Sequence, residues 1–269
     1  MTELANPGER LGFFTDTSVC IGCKACEVAC KQWNQLPMDG LEWEGSSYDN
    51  TRRLSGTTWR HVTFNELPGS GGAGAQTDWL MMSDVCKHCT HAGCLEACPT
   101  GAIVRTEFNT VLIQQDICNG CGYCITACPF GVIDANLGSD GDGKAHKCTL
   151  CYDRLRDGME PACAKACPTD SIQFGNVEEL RERAEARVEA LRSKGLDAYI
   201  YGGEEVGGTN GIGDLNAFFL LLDRPQRYNL PSRPSLPQKR TLPGLVSLAG
   251  AALVITIGAM WAMLPADEG

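Results

Sequence analysis

Positive charge is scarce in this chain. Lysine and arginine number 23 against 33 aspartate and glutamate, for a formal charge of −10. A surface of that sign repels nucleic-acid phosphates, and no basic stripe, helix-turn-helix or Walker-type segment offsets it, so no nucleic-acid partner is expected. The opening residues, MTELANPGER, have neither a basic n-region nor an apolar h-region, and no signal peptide is expected. Also missing is any arrangement of nucleophile, base and orienting group, so the sequence points to no catalytic residue. The glycine-rich VGGTNGIGD, 206–214, lacks the Lys-Ser/Thr of a phosphate loop and reads as a turn between strands. PGSGGAGAQ, 68–76, reads as a flexible connector.

Cysteine is what the chain has in excess: 16 in 269 residues. A disulfide scaffold would normally be short and exported, so metal is the better account. The cysteines fall into four groups of four with none left over. Group one, CIGCKACEVAC, holds Cys20, Cys23, Cys26 and Cys30 at spacing C-x2-C-x2-C-x3-C. Group two, CKHCTHAGCLEACP, holds Cys86, Cys89, Cys94 and Cys98. Group three, CNGCGYCITACP, repeats the first spacing with Cys118, Cys121, Cys124 and Cys128. Group four, stretched, holds Cys148, Cys151, Cys163 and Cys167. The ends of the last three also match: ACPTGAI, ACPFGVI and ACPTDSI. Group one has Lys31 where the others have proline. This is an internal repeat.

The spacing C-x2-C-x2-C-x3-C-P is that of bacterial ferredoxins. Three closely spaced cysteines wrap one [4Fe–4S] cubane, and the fourth, one helical turn on, points to a second. Small residues such as Gly22, Gly120 and Gly122 let the backbone approach the sulfurs, and the proline ends the helix. Group four taken alone has the spacing of a structural zinc site. Beside three relatives it reads as a fourth cluster station. A membrane-tethered zinc scaffold is the alternative of another class, and it predicts a colourless protein without labile sulfide. Four clusters use all the cysteines, leaving no iron open for substrate, so electron relay is the reading. Because the fourth cysteine crosses over, groups must pair; the equal gaps from Cys98 to Cys118 and from Cys128 to Cys148 leave two pairings open.

The fold expected is α+β: two double-cluster ferredoxin-like modules of short βαβ-like units, with an inserted hairpin and a C-terminal transmembrane helix. Residues 1–175 form the cluster domain, with 31–85 an insertion whose TWRHVTFNEL and TDWLMMSDV read as hairpin strands. TVLIQQ, 110–115, is a further strand. An extension, 176–230, begins with a helix capped by Asn176 and ended near Gly195, its stripe Val177, Leu180, Ala184, Val188 and Leu191. AYIY and AFFLLLD follow as strands. A proline-rich linker, 231–242, leads to residues 243–264, PGLVSLAGAALVITIGAMWAML, which carry no charge and reach about 33 Å as a helix, enough to span a bilayer in contact with lipid. The span has no histidine or carboxylate, so it anchors the chain without ligating haem. Lys24, Lys31, Lys87, Lys147 and Lys165 read as charge balance near anionic clusters, and His88 and His91 as hydrogen-bonding groups rather than ligands.

TDTSVCIGCKACEVACKQWN, DVCKHCTHAGCLEACPTGAI, DICNGCGYCITACPFGVI and HKCTLCYDRLRDGMEPACAKACPTDSIQFG closely resemble the iron–sulfur (beta) subunits of formate dehydrogenases. Those subunits belong to a wider group that serves molybdopterin oxidoreductases, and the same relay in another such enzyme or a hydrogenase is the neighbouring alternative. The resemblance implies that group one pairs with group four and group two with group three. The ligand sets it implies are Cys20, Cys23, Cys26 with Cys167; Cys148, Cys151, Cys163 with Cys30; Cys86, Cys89, Cys94 with Cys128; and Cys118, Cys121, Cys124 with Cys98. It implies, too, a molybdenum- or tungsten-pterin catalytic alpha subunit, a membrane cytochrome b (gamma) subunit delivering to quinone, and a role in anaerobic respiration. This chain itself would bind no small-molecule substrate. Arg224, Arg227, Arg233, Lys239 and Arg240 precede the span and only Asp267 and Glu268 follow it, which by the positive-inside rule places the cluster domain in the cytoplasm. The resemblance implies the outer face instead, since such domains are exported folded and the rule describes unfolded threading.

Overall fold

The structure is a computed structural model, and it describes residues 8–39, 43, 45, 48–67, 78–137, 141–203, 212–237 and 241–262. The 68–76 connector and most of the 206–214 turn lie outside these residues.

The first strand is β1 (Leu11–Asp16), buried at every position. Group one runs into α1 (Ala25–Trp33). The inserted hairpin follows as β2 (Arg60–Leu67) and β3 (Asp78–Val85), antiparallel with Arg60 opposite Val85. Group two contains α2 (Gly93–Glu96) and leads to the paired strands β4 (Ile103–Arg105) and β5 (Val111–Ile113). Group three contains α3 (Tyr123–Ala127), then the short pair β6 (Asp134–Ala135) and β7 (Ala145–His146). Group four spans α4 (Tyr152–Arg156) and α5 (Ala162–Lys165) and ends in β8 (Ile172–Asn176). The extension supplies α6 (Val177–Arg192), β9 (Tyr199–Tyr201) and β10 (Ala217–Leu221), and the last element is α7 (Thr241–Ala262).

The cysteine repeat is also a backbone repeat. The residue before each second cysteine is left-handed: Gly22 at φ +64°, His88 at +44°, Gly120 at +74° and Leu150 at +57°. For the two non-glycine residues this costs on the order of 1–2 kcal/mol each. Burial over-determines both, since His88 is 1% exposed and Leu150 fully enclosed. A second left-handed residue follows each Cys-Pro: Gly101, Gly131 and Asp170. Group one departs here for a physical reason. Proline halts the helices of the other groups at four or five residues, whereas Lys31 lets α1 continue to nine. Lys31 then bonds Thr57 C=O (2.9 Å) and pairs with Asp39 (2.9 Å), tying the longer helix to the insertion.

One sheet, in the order β8-β1-β10-β9, organises these units. It draws strands from both the first segment and the 176–230 extension: β1 runs parallel to β10, Phe13 beside Ala217, and antiparallel to β8, Phe13 opposite Phe174. Alternation along the strands gives the sheet two different faces. Phe14, Phe218 and Leu220 meet Val177, Leu180, Ala184, Val188 and Leu191 of α6, each large side chain contributing about 1.5–3 kcal/mol on burial. Phe13 and Ala217 turn the other way, into the core that contains Cys26, Cys86, Cys148 and Cys163. α6 opens as its sequence suggests, with Asn176 Oδ1 accepting the Glu178 N–H at 3.0 Å. The linker is less free than its prolines suggest: Leu236 is 3% exposed and packs with Tyr228 and Leu230.

α7 stands apart. Its segment Gly244–Trp261 has a mean hydropathy of 1.9 and none of it is buried. The Thr256 hydroxyl returns to Ala252 C=O at 2.7 Å, so its polarity is satisfied within the helix. Length and composition make it a candidate anchor.

Candidate metal centres

The short helices bring the cysteine groups together in pairs: α1 packs on α5, and α2 on α3. Three cavities are ringed by thiols. Cys20, Cys23, Cys26 and Cys167 line one of about 300 Å³, its open mouth included. Cys86, Cys89, Cys94 and Cys128 line another of about 330 Å³. Cys98, Cys118, Cys121 and Cys124 line a third of about 290 Å³. The last four cysteines, Cys30, Cys148, Cys151 and Cys163, are all buried. Burial pushes the Cys30 thiol well up, and Cys148, Cys163 and Cys151 raise it further, so these four also share one neighbourhood.

Sulfur-to-sulfur electrostatics also order the sets. Burial, against Arg60 and Ser83, leaves Cys26 pushed up to about 12, and Cys163 adds a smaller upward effect that links the first set to it. Cys148 is raised by burial and next by Cys86, linking the second set to the third. Cys94 is pushed up to about 12 by burial, with Cys124 among its neighbours, linking the third to the fourth. Each of these influences reaches from one set to the next, in the order Cys20/23/26/167, Cys30/148/151/163, Cys86/89/94/128, Cys98/118/121/124. In the last set Cys98 behaves differently. Slight burial acts upward, but bonds from the Thr100 hydroxyl and the N–H groups of Ile103, Thr100 and Ala102 prevail and hold it below the ordinary thiol value.

The donor chemistry fits an iron–sulfur cluster better than a single ion. Among the described residues no three His, Cys, Asp or Glu side chains converge closely enough to hold one metal ion. In three of the sets four thiols instead surround a void, and the left-handed loop residues turn the backbone around it, as a cubane larger than one ion requires.

Buried cations accompany the thiols. Lys87 is 1% exposed, bonds Asp84 and Val85 C=O, and lies over Phe130 and Phe219. Lys147, 2% exposed, bonds the carbonyls of Val111 and Cys148. Lys24 pairs with Asp49 at 3.1 Å, and Lys165 is exposed. His88 accepts the Val111 N–H on Nδ1, and burial, with Lys147, Arg105 and Arg60, drives its pKa far down, so it is neutral with its proton on Nε2. His91 is exposed. Sequence reasoning missed Arg60 and Ser83. Arg60 lies far in sequence from any cysteine motif, and Ser83, though just ahead of Cys86, lies far from group one; only the folded packing brings Ser83 Oγ to 3.2 Å from Cys26 Sγ.

Fold and site together define a ferredoxin-like iron–sulfur protein built of two double-cluster units. Consistent with this, the 4Fe-4S dicluster domain family matches residues 77–177, and a second 4Fe-4S dicluster domain family matches residues 19–102. The chain is 43% identical over 222 residues, 81% of its length and 68% of the relative's, to the formate dehydrogenase iron-sulfur subunit of Haemophilus influenzae. It is 42% identical, over 81% of its length and 71% of the relative's, to the nitrate-inducible formate dehydrogenase iron-sulfur subunit of Escherichia coli. The B subunit of the anaerobic dimethyl sulfoxide reductase of Escherichia coli is 35% identical over 65% of this sequence and 77% of that protein. The protein described here belongs to the family of formate dehydrogenase iron–sulfur subunits.

Proposed function

We propose that this chain carries electrons from a pterin-containing formate dehydrogenase catalytic subunit to a membrane cytochrome b and quinone. It is an electron-transfer subunit and not the catalytic one. The bound [4Fe-4S] clusters supply one-electron carriers. The chain's own part is to hold them in line and to exclude water from the inner two. Cys20, Cys23, Cys26 and Cys167 hold the entry position, which lies beside the exposed Ile21 and Val28. Cys30, Cys148, Cys151 and Cys163, then Cys86, Cys89, Cys94 and Cys128, hold the inner positions. Cys98, Cys118, Cys121 and Cys124 hold the exit, beside the exposed Ile117 and Tyr123. Support for these sets comes from the cavities the thiols share and the pKa shifts they impose on one another.

Residues 1–175 carry the clusters, 176–230 closes the sheet around them, and 231–242 leads to the anchor at 243–264. The cluster domain faces the outside of the membrane, where the catalytic subunit docks. Formate oxidation there yields carbon dioxide, a proton and two electrons, which this chain passes on singly. The observation that carries the reading is the gathering of thiols from different cysteine groups around shared cavities.

The test uses the native complex, purified without air through a tag on this chain. Formate should bleach the broad visible absorbance. A sample that dithionite bleaches and formate does not would keep the relay and sink formate as donor. Protease treatment of intact spheroplasts should cleave the cluster domain; protection would overturn the outer placement.

A further inference from the structure

Arg60 opens β2, and its side chain is among the largest fully buried in the protein, 1% exposed. Nη1 donates to the Ser83 hydroxyl at 3.0 Å and to the Ser83 carbonyl at 3.4 Å. The guanidinium lies over the Phe13 ring, 4.7 Å from its centroid. Among the described residues no carboxylate pairs with it, and Nε and Nη2 have no hydrogen-bond partner. Arginine keeps its charge in proteins, and a buried charge without a counter-ion or full hydrogen bonding is strongly disfavoured. Lys87 and Lys147, buried as deeply, each have carbonyl partners. Arg60 has only the Ser83 hydroxyl and carbonyl, both on Nη1, so something anionic must complete the surroundings of its other two nitrogens.

The neighbours that qualify are sulfurs. Burial acts against the Arg60 charge, yet Cys163, Cys26, Cys148 and Cys30 outweigh it and raise its pKa. Three of those belong to the second thiol set and one, Cys26, to the first. Ser83 extends the reach: its oxygen accepts from Arg60, which leaves its own proton for Cys26 Sγ at 3.2 Å. Hydrogen bonds and positive charge near cluster sulfur stabilise the more negative, reduced state and so raise the reduction potential.

We propose that Arg60 sets the reduction potential of the second cluster through its two unpartnered nitrogens, and of the first, more weakly, through the Ser83 hydroxyl. It is a positioning and potential-setting residue, not a ligand. Among the described residues, the guanidinium beside the third set, Arg105, gives its Nη protons to the carbonyls of Asn109, Cys89 and Thr90, Lys147 bonds the carbonyls of Val111 and Cys148, and Lys87 bonds Asp84 and Val85 C=O. Arg60 therefore makes the first pair of sites easier to reduce than its thiols alone would, favouring uptake of electrons at the entry end.

This inference rests on the four-cluster reading, and the test separates the two. The air-free complex is assayed for iron and acid-labile sulfide and titrated with dithionite under EPR, without formate. A wild-type complex lacking labile sulfide would sink the four-cluster reading itself. In Arg60→Gln, fully loaded, the second cluster's reduced-to-oxidised ratio at its wild-type midpoint should fall about tenfold, a shift of about 59 mV for one electron. The first cluster should move less, and the other two not at all. Arg60→Lys, which keeps the charge, should recover most of the shift. Four unchanged midpoints in loaded Arg60→Gln would overturn the proposal. If that variant takes up no iron, Ser83→Ala decides: one lowered midpoint, that of the first cluster, supports the role of the pair, and none overturns it.

Discussion

The two terminal thiol sets and the two inner ones are built from the same repeat and end in different surroundings. Each terminal set has an exposed cysteine, Cys23 at one end and Cys121 at the other. Every cysteine of the second set is buried, and in the third Cys86 is buried and the rest half-buried. Large apolar side chains lie in the open beside the terminal sets, Ile21 and Val28 at one end, Ile117 and Tyr123 at the other. The inner sets are covered by the sheet, the hairpin and the loop whose Lys87 C=O accepts the Ala217 N–H. One motif thus serves as port or as conduit, according to what the rest of the protein lays over it. Burial also pushes up individual thiols, Cys151 to about 11 and Cys94 to about 12, so metal must displace their protons on loading.

The largest effect should come from Cys148→Ser, which removes a thiol buried in the core. We expect loss of one cluster's worth of iron and of most soluble protein, read by iron assay and thermal melting. The matching change at a port, Cys121→Ser, should keep the cluster, since an exposed loop can adjust and serine can ligate; equal losses would erase the distinction between port and conduit. Next, truncation ahead of Thr241 should release the protein from membranes in fractionation, with the dithionite-reduced spectrum unchanged. A smaller effect should follow from Ile21→Asp and Tyr123→Asp, which leave iron content intact. Each should weaken retention of a different partner subunit by about tenfold, as loss of one buried large apolar side chain implies, read by quantitative pull-down.

The last concerns His61 in the hairpin, near the entry port. Burial pulls its pKa down, but Asp49, 2.9 Å away, and Glu27 overcome that and push it up to about 9. Its folded pKa lies above the unfolded value of about 6.5, so its contribution is complete below that pH and is lost as pH rises through about 9. His61→Gln should lower stability by on the order of 2 kcal/mol at pH 6, with the difference fading towards pH 9.5, read as thermal loss of cluster absorbance.

Much of this was legible in the sequence because the information is local. Cysteine spacing, the prolines behind Cys98, Cys128 and Cys167, and the Asn176 cap each act within a few residues. The hairpin strands of the insertion also showed. β1 did not: LGFFTD is short and buried on both faces, so it has no polar alternation, and its partners are Ala217–Leu221 and Ile172–Asn176. Arg60 was equally invisible, because an arginine in RHVTFNEL looks like the polar side of a strand until Phe13, Ser83 and the thiols close around it. Lys31 was seen as a departure, but the longer helix it permits, and the anchoring of that helix to Thr57, depend on the insertion's own fold.

The parallel pairing of β1 with β10 has a consequence for how the protein is made. β1 cannot take its place beside Phe218 and Phe219 until about two hundred further residues, up to β10, have been synthesised. Contacts this distant in sequence form late, because the intervening residues must be ordered first. Until then the floor beneath the cysteines is missing, and thiols that end up sealed remain within reach of whatever delivers iron and sulfide. Closing the sheet afterwards locks the cargo in. On this view the order of synthesis is itself an assembly schedule, with a window for loading that shuts when residue 217 arrives.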